Sequence, residues 1–536
     1  MAAHLSAYDV SLRLNDGDYL FQQLNFTLDA SLTALVGANG VGKSLLARAL
    51  VGELNFTSGT VNKQGSVYYV RQSVREDEQL SIAQLFNLAE AYSAAQRVEL
   101  GGTDEQDFVC AQDWWQQSAA VSEALRISGM PQPAEFNQLV TDFSGGEQFR
   151  LLWAAAVFAQ PDMYIFDEPT NHLDQQGRER FMHWLASQQK PRLVISHDRD
   201  LLDAAEHILE LTPQAVHRHS GGFQHYIDAR NKRWQGQQSA VELSRKQQQR
   251  QAHEAQAALE KQQQRTARGK AKAQHTGMDK LLRDSLKQSA QNSQGQQKLM
   301  RQQRKQDSES QLLQTEQQRE YLEPISLELP GSAIAASKQA VTFSNWVTGI
   351  QQANHKPITL SLQGAFRLRI NGPNGVGKSV LLNSLIKQQG TLAGRAQVHV
   401  PAMYLAQHVH HFAADKTAIE NLLIRQPKLN EQQGRERLAR LRLRNKKADI
   451  AFAQLSGGEQ LKAVLACELL GPVTPQLIIL DEPTNHLDLD STLALEQALS
   501  QYQGALIVVS HDERFVQTLG VTQQLTLPEA SIQDIK

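Results

Sequence analysis

The chain has 536 residues, 54 Lys and Arg against 56 Asp and Glu, and a formal charge of −2. That length leaves room for two or three domains with ordinary cores, and the near-neutral balance excludes a uniformly basic nucleic-acid binder, so any such surface must be local. Two cysteines far apart in sequence, Cys110 and Cys467, exclude a disulfide framework or a cysteine-held iron–sulfur cluster and point to a reducing compartment, the cytoplasm. The N-terminus has no basic start followed by an apolar core, and no run approaches the roughly 18 apolar residues that span a bilayer, so a transport role would need its channel in another chain.

In chain order, the first signal is the apolar run LTALV, then GANGVGKS at Gly37–Ser44, then the helical pattern SLLARALVG. Strand, GxxxxGK[ST] loop and helix together form a phosphate cradle. Gly37, Asn39, Gly40 and Gly42 let backbone amides approach the phosphates of ATP, and the helix N-terminus adds positive potential. Lys43 is predicted to reach the β- and γ-phosphates, and Ser44 to ligate Mg²⁺. Gln72, after the strand-like VYYVRQ, is the candidate sensor of metal and water. FSGGEQ at Phe143–Gln148 supplies Ser144, Gly145 and Gly146, a turn opening a helix and hence a second anion site. MYIF then runs into Asp167 and Glu168, the pattern of a buried strand ending in carboxylates: Asp167 is expected to hold Mg²⁺ and Glu168 to polarise the attacking water. His197 ends the strand-like RLVIS, where a neutral imidazole bonds the γ-phosphate. A satisfied histidine at a sheet edge is the alternative, and the recurrence of its Ser-His-Asp setting argues against it.

From about Ala229 to Glu320 the composition shifts to Gln, Lys, Arg and Ala. This stretch holds about ten more basic than acidic side chains, leaving about −12 on the rest of the chain. Helix formers dominate, with Gly269, Gly277 and Gly295 marking breaks near the middle, so the reading is two long helices in an antiparallel hairpin. Its leucines make a poor heptad seam, which keeps a partly disordered linker open. Arg265, Arg268, Lys270, Lys272, Lys280, Arg283 and Lys287 surround the expected tip and are the candidate RNA-phosphate contacts, since a basic helical projection on an otherwise acidic chain is what RNA phosphate binding by shape and charge needs. Merely solvated helix faces are the alternative.

After this segment every signal returns in the same order. FRLRI precedes GPNGVGKS, with Gly372, Asn374, Gly375, Gly377, Lys378 and Ser379 in the roles given above, and MYLAQ ends on Gln407. LSGGEQ supplies Ser456, Gly457 and Gly458; LIIL runs into Asp481 and Glu482; LIVVS precedes His511. The catalytic candidates are therefore Glu168, Glu482, His197 and His511, and the metal candidates Ser44, Asp167 and Gln72 with Ser379, Asp481 and Gln407. The expected domains are residues 1–228, a helical linker at 229–322, and residues 323–536.

The Ser-Gly-Gly signatures, the paired EPTNHLD motifs and the basic linker make the chain resemble the ABC-F family of ATP-binding cassette proteins over essentially its whole length. The fold this implies is α/β, with two ABC-type P-loop ATPase domains in tandem joined by a long α-helical hairpin. The resemblance further implies that Ser144-Gly145-Gly146 closes over ATP at Lys378 and Ser456-Gly457-Gly458 over ATP at Lys43. A monomer would thus take two ATP and two Mg²⁺ in a head-to-tail pairing of its cassettes. The implied activity is ATP hydrolysis by a translation factor that binds the ribosomal exit site when ATP-loaded. Its hairpin would approach large-subunit rRNA, peptidyl-tRNA and the peptidyl-transferase centre, with antibiotic resistance or relief of stalling as outcomes. A DNA-associated ATPase and an exporter subunit are the competing readings. Phe143 stands where the family signature has leucine, and the stretch from Gln72 to the first signature is too short for a large inserted arm. Tyr19 or Tyr8 is the candidate adenine-stacking ring for the first site and Trp346 for the second.

Overall fold

The computed structural model describes residues 4–275 and 331–534 apart from 14–16, 18, 30, 73, 75–77, 134, 172, 349–355, 374, 388–390, 406–411, 442, 444, 456, 470–473 and 485–486. The first half contains β1 (His4–Arg13), β2 (Tyr19–Leu28), β3 (Leu32–Val36), β4 (Ser58–Gln64), β5 (Val67–Val70), β6 (Met163–Asp167), β7 (Arg192–Ile195), β8 (His207–Leu211) and β9 (Val216–Ser220). They form a three-stranded sheet of order β2-β1-β4 and a six-stranded sheet of order β5-β6-β7-β3-β8-β9. Pairing in the larger sheet is parallel except for the final β8–β9 hairpin. Strands β3, β6 and β7 are buried at every residue, which is why they read as unbroken apolar runs rather than alternating ones: a parallel sheet is covered on both faces.

The second half repeats the arrangement. Its strands are β10 (Gln339–Thr348), β11 (Ile358–Gln363), β12 (Arg367–Asn371), β13 (Thr391–Val398), β14 (Ala402–Leu405), β15 (Leu477–Asp481), β16 (Ala505–Val509), β17 (Gln523–Thr526) and β18 (Ser531–Asp534). The sheets run β11-β10-β13 and β14-β15-β16-β12-β17-β18, position for position the order of the first half. In each half the strand before the phosphate loop sits centrally, with the strand that ends in Ser-His on one side of it and the Asp-Glu strand one further out. The carboxyl ends of these neighbours converge on one edge, where ligands of open α/β sheets bind.

The small and large sheets of the first half share a core containing Leu5, Phe21, Leu46, Ile165 and Leu209. Beside it Trp153, fully buried, packs edge-on against Phe181 and Trp184 at centroid distances of 5.2 and 5.4 Å. Side chains of this size each stabilise the fold by about 1.5–3 kcal/mol on burial. The helices that carry motifs start with the caps their sequences provide. Asp174, Asp198, Asp488 and Asp512 each accept hydrogen bonds from the first turn of the helix that follows. The closing aspartate of each EPTNHLD is thus a helix cap as well as part of a motif.

By its contacts the chain divides into Met1–His225 with Pro324–Lys536 as one unit and Tyr226–Glu323 as another. The described part of the second unit lies on a single helix, Phe223–His275, which carries Arg265, Arg268, Lys270 and Lys272. Lys280, Arg283, Lys287 and the returning arm of the expected hairpin lie outside the described residues. Among the described residues no helix is long and apolar enough to cross a membrane.

The two cysteines differ sharply. Cys110 is exposed, whereas Cys467 is buried and desolvation pushes its thiol up to about 12. A thiol-specific reagent is therefore expected to modify one cysteine per native chain at pH 8 and both after denaturation, with the native label mapping to Cys110. Labelling of Cys467 in the native protein would contradict this packing.

Candidate nucleotide-binding sites

The loop after β3 is shaped by glycine. Gly42 has φ +98°, and a Cβ there would meet the Leu20 side chain at 2.2 Å. In the second loop a Cβ on Gly372 would lie 2.7 Å from the Leu527 carbonyl oxygen. Both positions are closed to other residues by close approach. Lys43 Nζ donates to the carbonyls of Gly37 at 2.7 Å and Ala38 at 3.3 Å, and Lys378 Nζ to those of Gly372 at 2.7 Å and Pro373 at 3.1 Å. Each ammonium braces its own loop, and burial pushes its pKa down.

Asp167 and Asp481 end β6 and β15 and are 3 % exposed. Each takes a hydrogen bond from the loop serine, Ser44 or Ser379. Each also takes one from a tyrosine: Tyr69 Oη to Asp167 at 2.9 Å and Tyr404 Oη to Asp481 at 3.2 Å. Burial outweighs these bonds and raises both carboxyls. The tyrosines are functional candidates that the motif reading passed over. The signal for them is the spacing Tyr-x-x-Gln, which occurs at Tyr69–Gln72 and again at Tyr404–Gln407.

The next residue in each half, Glu168 or Glu482, adopts left-handed backbone with φ of +48° and +47°. A non-glycine residue pays for that conformation with strain, and its appearance at equivalent places in both halves marks a functional constraint. The turn is pinned by the Glu168 N–H on Ile195 O at 2.8 Å and the Glu482 N–H on Val509 O at 2.9 Å. Desolvation raises the Glu168 carboxyl and pushes that of Glu482 up to about 7. Each glutamate faces a histidine, with 3.6 Å between His197 Nε2 and Glu168 Oε1 and 3.3 Å between His511 Nε2 and Glu482 Oε1. Burial drives both imidazoles toward the neutral form, His511 down to about 4.

A cleft of about 390 Å³ brings Gly40, Gly42, Lys43, Ser44, Gln72, Asp167, Glu168 and His197 together. Glu482, Thr484 and His511 of the other half also line it. The halves meet directly here, because the Asn39 backbone N–H donates to Asp488 Oδ2 at 3.1 Å. Asp488 also caps its own helix through the Ser491 N–H at 2.9 Å. In the first signature the Glu147 carboxylate accepts from the Ser144 N–H at 2.9 Å and the Ser144 hydroxyl at 2.6 Å, so the serine is engaged within its own turn, ahead of Gly145 and Gly146 on the helix. In the second signature Gly457 and Gly458 open the helix Gly457–Leu469. Asn374, Gln407 and Ser456 lie outside the described residues.

One expectation is overturned. Trp346 is 0 % exposed and belongs to the core between the small sheet and β12, so its ring is not presented for stacking on adenine. Tyr8 and Tyr19 are exposed, at 54 % and 47 %.

A metal is accommodated by this donor set. Asp167 Oδ1 is buried without a hydrogen-bond partner, beside a loop hydroxyl, an oxygen-rich arrangement that suits a hard cation such as Mg²⁺.

Twin α/β sheets with lysine-bearing phosphate loops at their carboxyl edges define a tandem P-loop nucleotide-binding protein. The family model described as ABC transporter matches residues 21–171 and 355–485, over half of the chain. The tylosin resistance ATP-binding protein TlrC of Streptomyces fradiae is 30 % identical over 96 % of this chain and 95 % of its own length. ATP-binding cassette sub-family F member 3 of Mus musculus is 28 % identical over 95 % of this chain and 70 % of its own. The fold matches the archaeal ribosome recycling factor aABCE1, solved with the ribosomal stalk protein aP1, with a TM-score of 0.53 and 16 % identity over 98 % of this chain and 89 % of that one. The chain belongs to the ATP-binding cassette family, in its F subfamily.

Proposed function

We propose that this chain binds and hydrolyses two ATP, each with Mg²⁺, and uses the cycle to engage and leave the ribosome at the tRNA exit site as a cytoplasmic monomer. The observation that carries the enzymatic part is the duplicated Asp-Glu-His arrangement beside a lysine-bearing loop, with the Asp488–Asn39 bond joining the halves. Lys43 and Lys378 exchange their carbonyl partners for the β- and γ-phosphates. Ser44 with Asp167, and Ser379 with Asp481, would hold Mg²⁺, with Gln72 and Gln407 as the further candidate ligands. When bound, the metal neutralises charge on the phosphate oxygens. Glu168 and Glu482 orient and deprotonate water, and the neutral His197 and His511 bond the γ-phosphate. Gly37, Asn39, Gly40 and Gly42, with Gly372, Asn374, Gly375 and Gly377, present backbone amides to the phosphates. Ser144-Gly145-Gly146 and Ser456-Gly457-Gly458 close over the opposite nucleotide, so ATP binding joins the cassettes and hydrolysis releases them. Ser144 must first let go of Glu147.

Membership of the F subfamily and the segregation of charge support the ribosomal part: about ten excess basic residues lie between Ala229 and Glu320 while the remainder is acidic. Residues 229–322 serve as the RNA-facing linker between cassettes at 1–228 and 323–536. Its basic residues Arg265, Arg268, Lys270, Lys272, Lys280, Arg283 and Lys287 contact rRNA and peptidyl-tRNA phosphates. Antibiotic resistance, named for the Streptomyces relative, is one outcome of such a cycle, and relief of stalling is another. The test is sedimentation of the Glu168→Gln/Glu482→Gln variant with cell extract through sucrose, with and without ATP. ATP-dependent co-migration with ribosomes is expected, and it is lost when the seven linker cations become alanine. Absence of co-migration, with ATP binding confirmed, would sink the ribosomal reading and leave the ATPase reading standing.

A further inference from the structure

We propose that Arg178 is a positioning residue that ties the histidine of the second ATP site to the switch segment of the first, so that one side chain couples the two sites. The inference rests on the roles given above to Glu168, Glu482, His197 and His511, and it assigns a residue outside every motif.

Arg178 is the fourth residue after Asp174, in the first turns of the helix Gln175–Ser187. Its side chain is 14 % exposed, and its guanidinium reaches in two directions. Nη1 donates across the cassettes to the His511 backbone carbonyl at 3.0 Å. Nη2 donates within its own cassette to Asp198, the residue after His197, and to Asp200 Oδ2 at 2.6 Å. Asp200 also accepts from Arg514 Nε of the second cassette at 3.0 Å. A planar fork of donors satisfies three acceptors at once, which an ammonium on a flexible stem does not.

The equivalent position in the second cassette, the fourth after Asp488, is Thr492, whose hydroxyl bonds back to the Asp488 carbonyl of its own helix at 3.1 Å. Thr492 is too short to reach a switch segment in the other cassette. Arg178 therefore has no counterpart in the second cassette.

Each segment also has anchors of its own: the Asp198 and Asp512 N–H groups bond Ser196 Oγ and Ser510 Oγ, both at 3.1 Å, and each aspartate caps the helix that follows. In the second segment Arg369 Nη2 donates to the Ser510 carbonyl at 3.1 Å and the His511 N–H lies 3.4 Å from Glu482 Oε2, while the His511 carbonyl is held by Arg178. Arg178 is thus shared: removing it frees the His511 carbonyl in one site and leaves the Asp198 carboxylate, 7 % exposed and next to His197, without its guanidinium in the other. Both sites are loosened together.

The experiment separates the sites with single variants, Glu168→Gln leaving the second active and Glu482→Gln the first. Arg178→Ala is expected to lower kcat roughly fivefold or more in both backgrounds, with KM for ATP changed by less than about twofold, and Arg178→Lys falls between wild type and alanine. A loss confined to one background, or none in either, would overturn the coupling, and a loss carried by KM would reduce Arg178 to general support of the interface. Amide exchange of the full chain with and without ATP gives a readout independent of turnover. Arg178→Ala is expected to speed exchange at 197–200 and at 511–512 together. If neither single-glutamine variant turns over faster than the double variant, the catalytic assignment fails, and exchange alone then decides the role of Arg178.

Discussion

In the Glu168→Gln/Glu482→Gln variant ATP binding persists while phosphate release falls by about 10²–10⁴. Glutamine preserves the shape and the backbone bonds of each turn, Glu168 N–H to Ile195 O and Glu482 N–H to Val509 O, but has no basic oxygen. Single-turnover phosphate release together with equilibrium nucleotide binding measures the two effects separately. Turnover within about threefold of wild type would remove both glutamates from the chemistry. The same substitution has a signature in stability. The Glu482 carboxyl is raised by burial from 4.5 to about 7, so the folded form holds its proton more tightly than the unfolded chain. Its unfavourable contribution appears as pH rises from about 4.5 to about 7, when the unfolded chain ionises first. Glu482→Gln is therefore expected to raise the melting temperature more at pH 8 than at pH 5, and a larger gain at pH 5 would contradict the burial of this carboxyl.

Glu496→Ala is expected to destabilise the joined cassettes by about 3–5 kcal/mol, because it leaves Arg199 charged and unpaired in a buried place. The two side chains are 2.5 Å apart, with 7 % of Arg199 and 6 % of Glu496 exposed, and they come from different cassettes. Burial raises the Glu496 carboxyl even beside the guanidinium, so desolvation outweighs the attraction. The paired apolar change Arg199→Met/Glu496→Leu is accordingly expected to recover most of the loss. Urea unfolding of the three proteins measures this. A loss below about 1 kcal/mol for Glu496→Ala would mean that the pair is solvated and the cassettes are apart in solution.

The candidate sites were legible because their chemistry demands residue types at strand and helix ends, which sequence periodicity locates. Lys43 and Lys378 follow apolar runs, and Asp167 and Asp481 end them. Trp346 shows where that reading failed. An aromatic residue just ahead of a phosphate loop suggests an adenine platform. Along β10, however, Val341 and Phe343 face the core, and the register shifts between Phe343 and Trp346, with Asn345 at φ +46°. This bulge inserts one residue and turns Trp346 inward with the other core residues. No periodicity in the sequence announces it.

The sequence by itself determined the class of this protein: two copies of a strand, phosphate loop and helix, their carboxylates and histidines, and a basic segment between them. Each of these depends on residues within about one element of one another, where spacing and hydrophobic pattern report directly on geometry. The tertiary structure alone decided which residues cross between the cassettes and which cassette supplies them. Asp488 meets Asn39, Arg178 meets His511, and Arg199 meets Glu496 over about 300 to 450 positions of chain, contacts set by how two folded surfaces fit. For that reason the two motif sets look nearly equivalent in sequence, while the surroundings of His511 include Arg178 and Arg369, whose counterparts in the other half are Thr492 and Ala34.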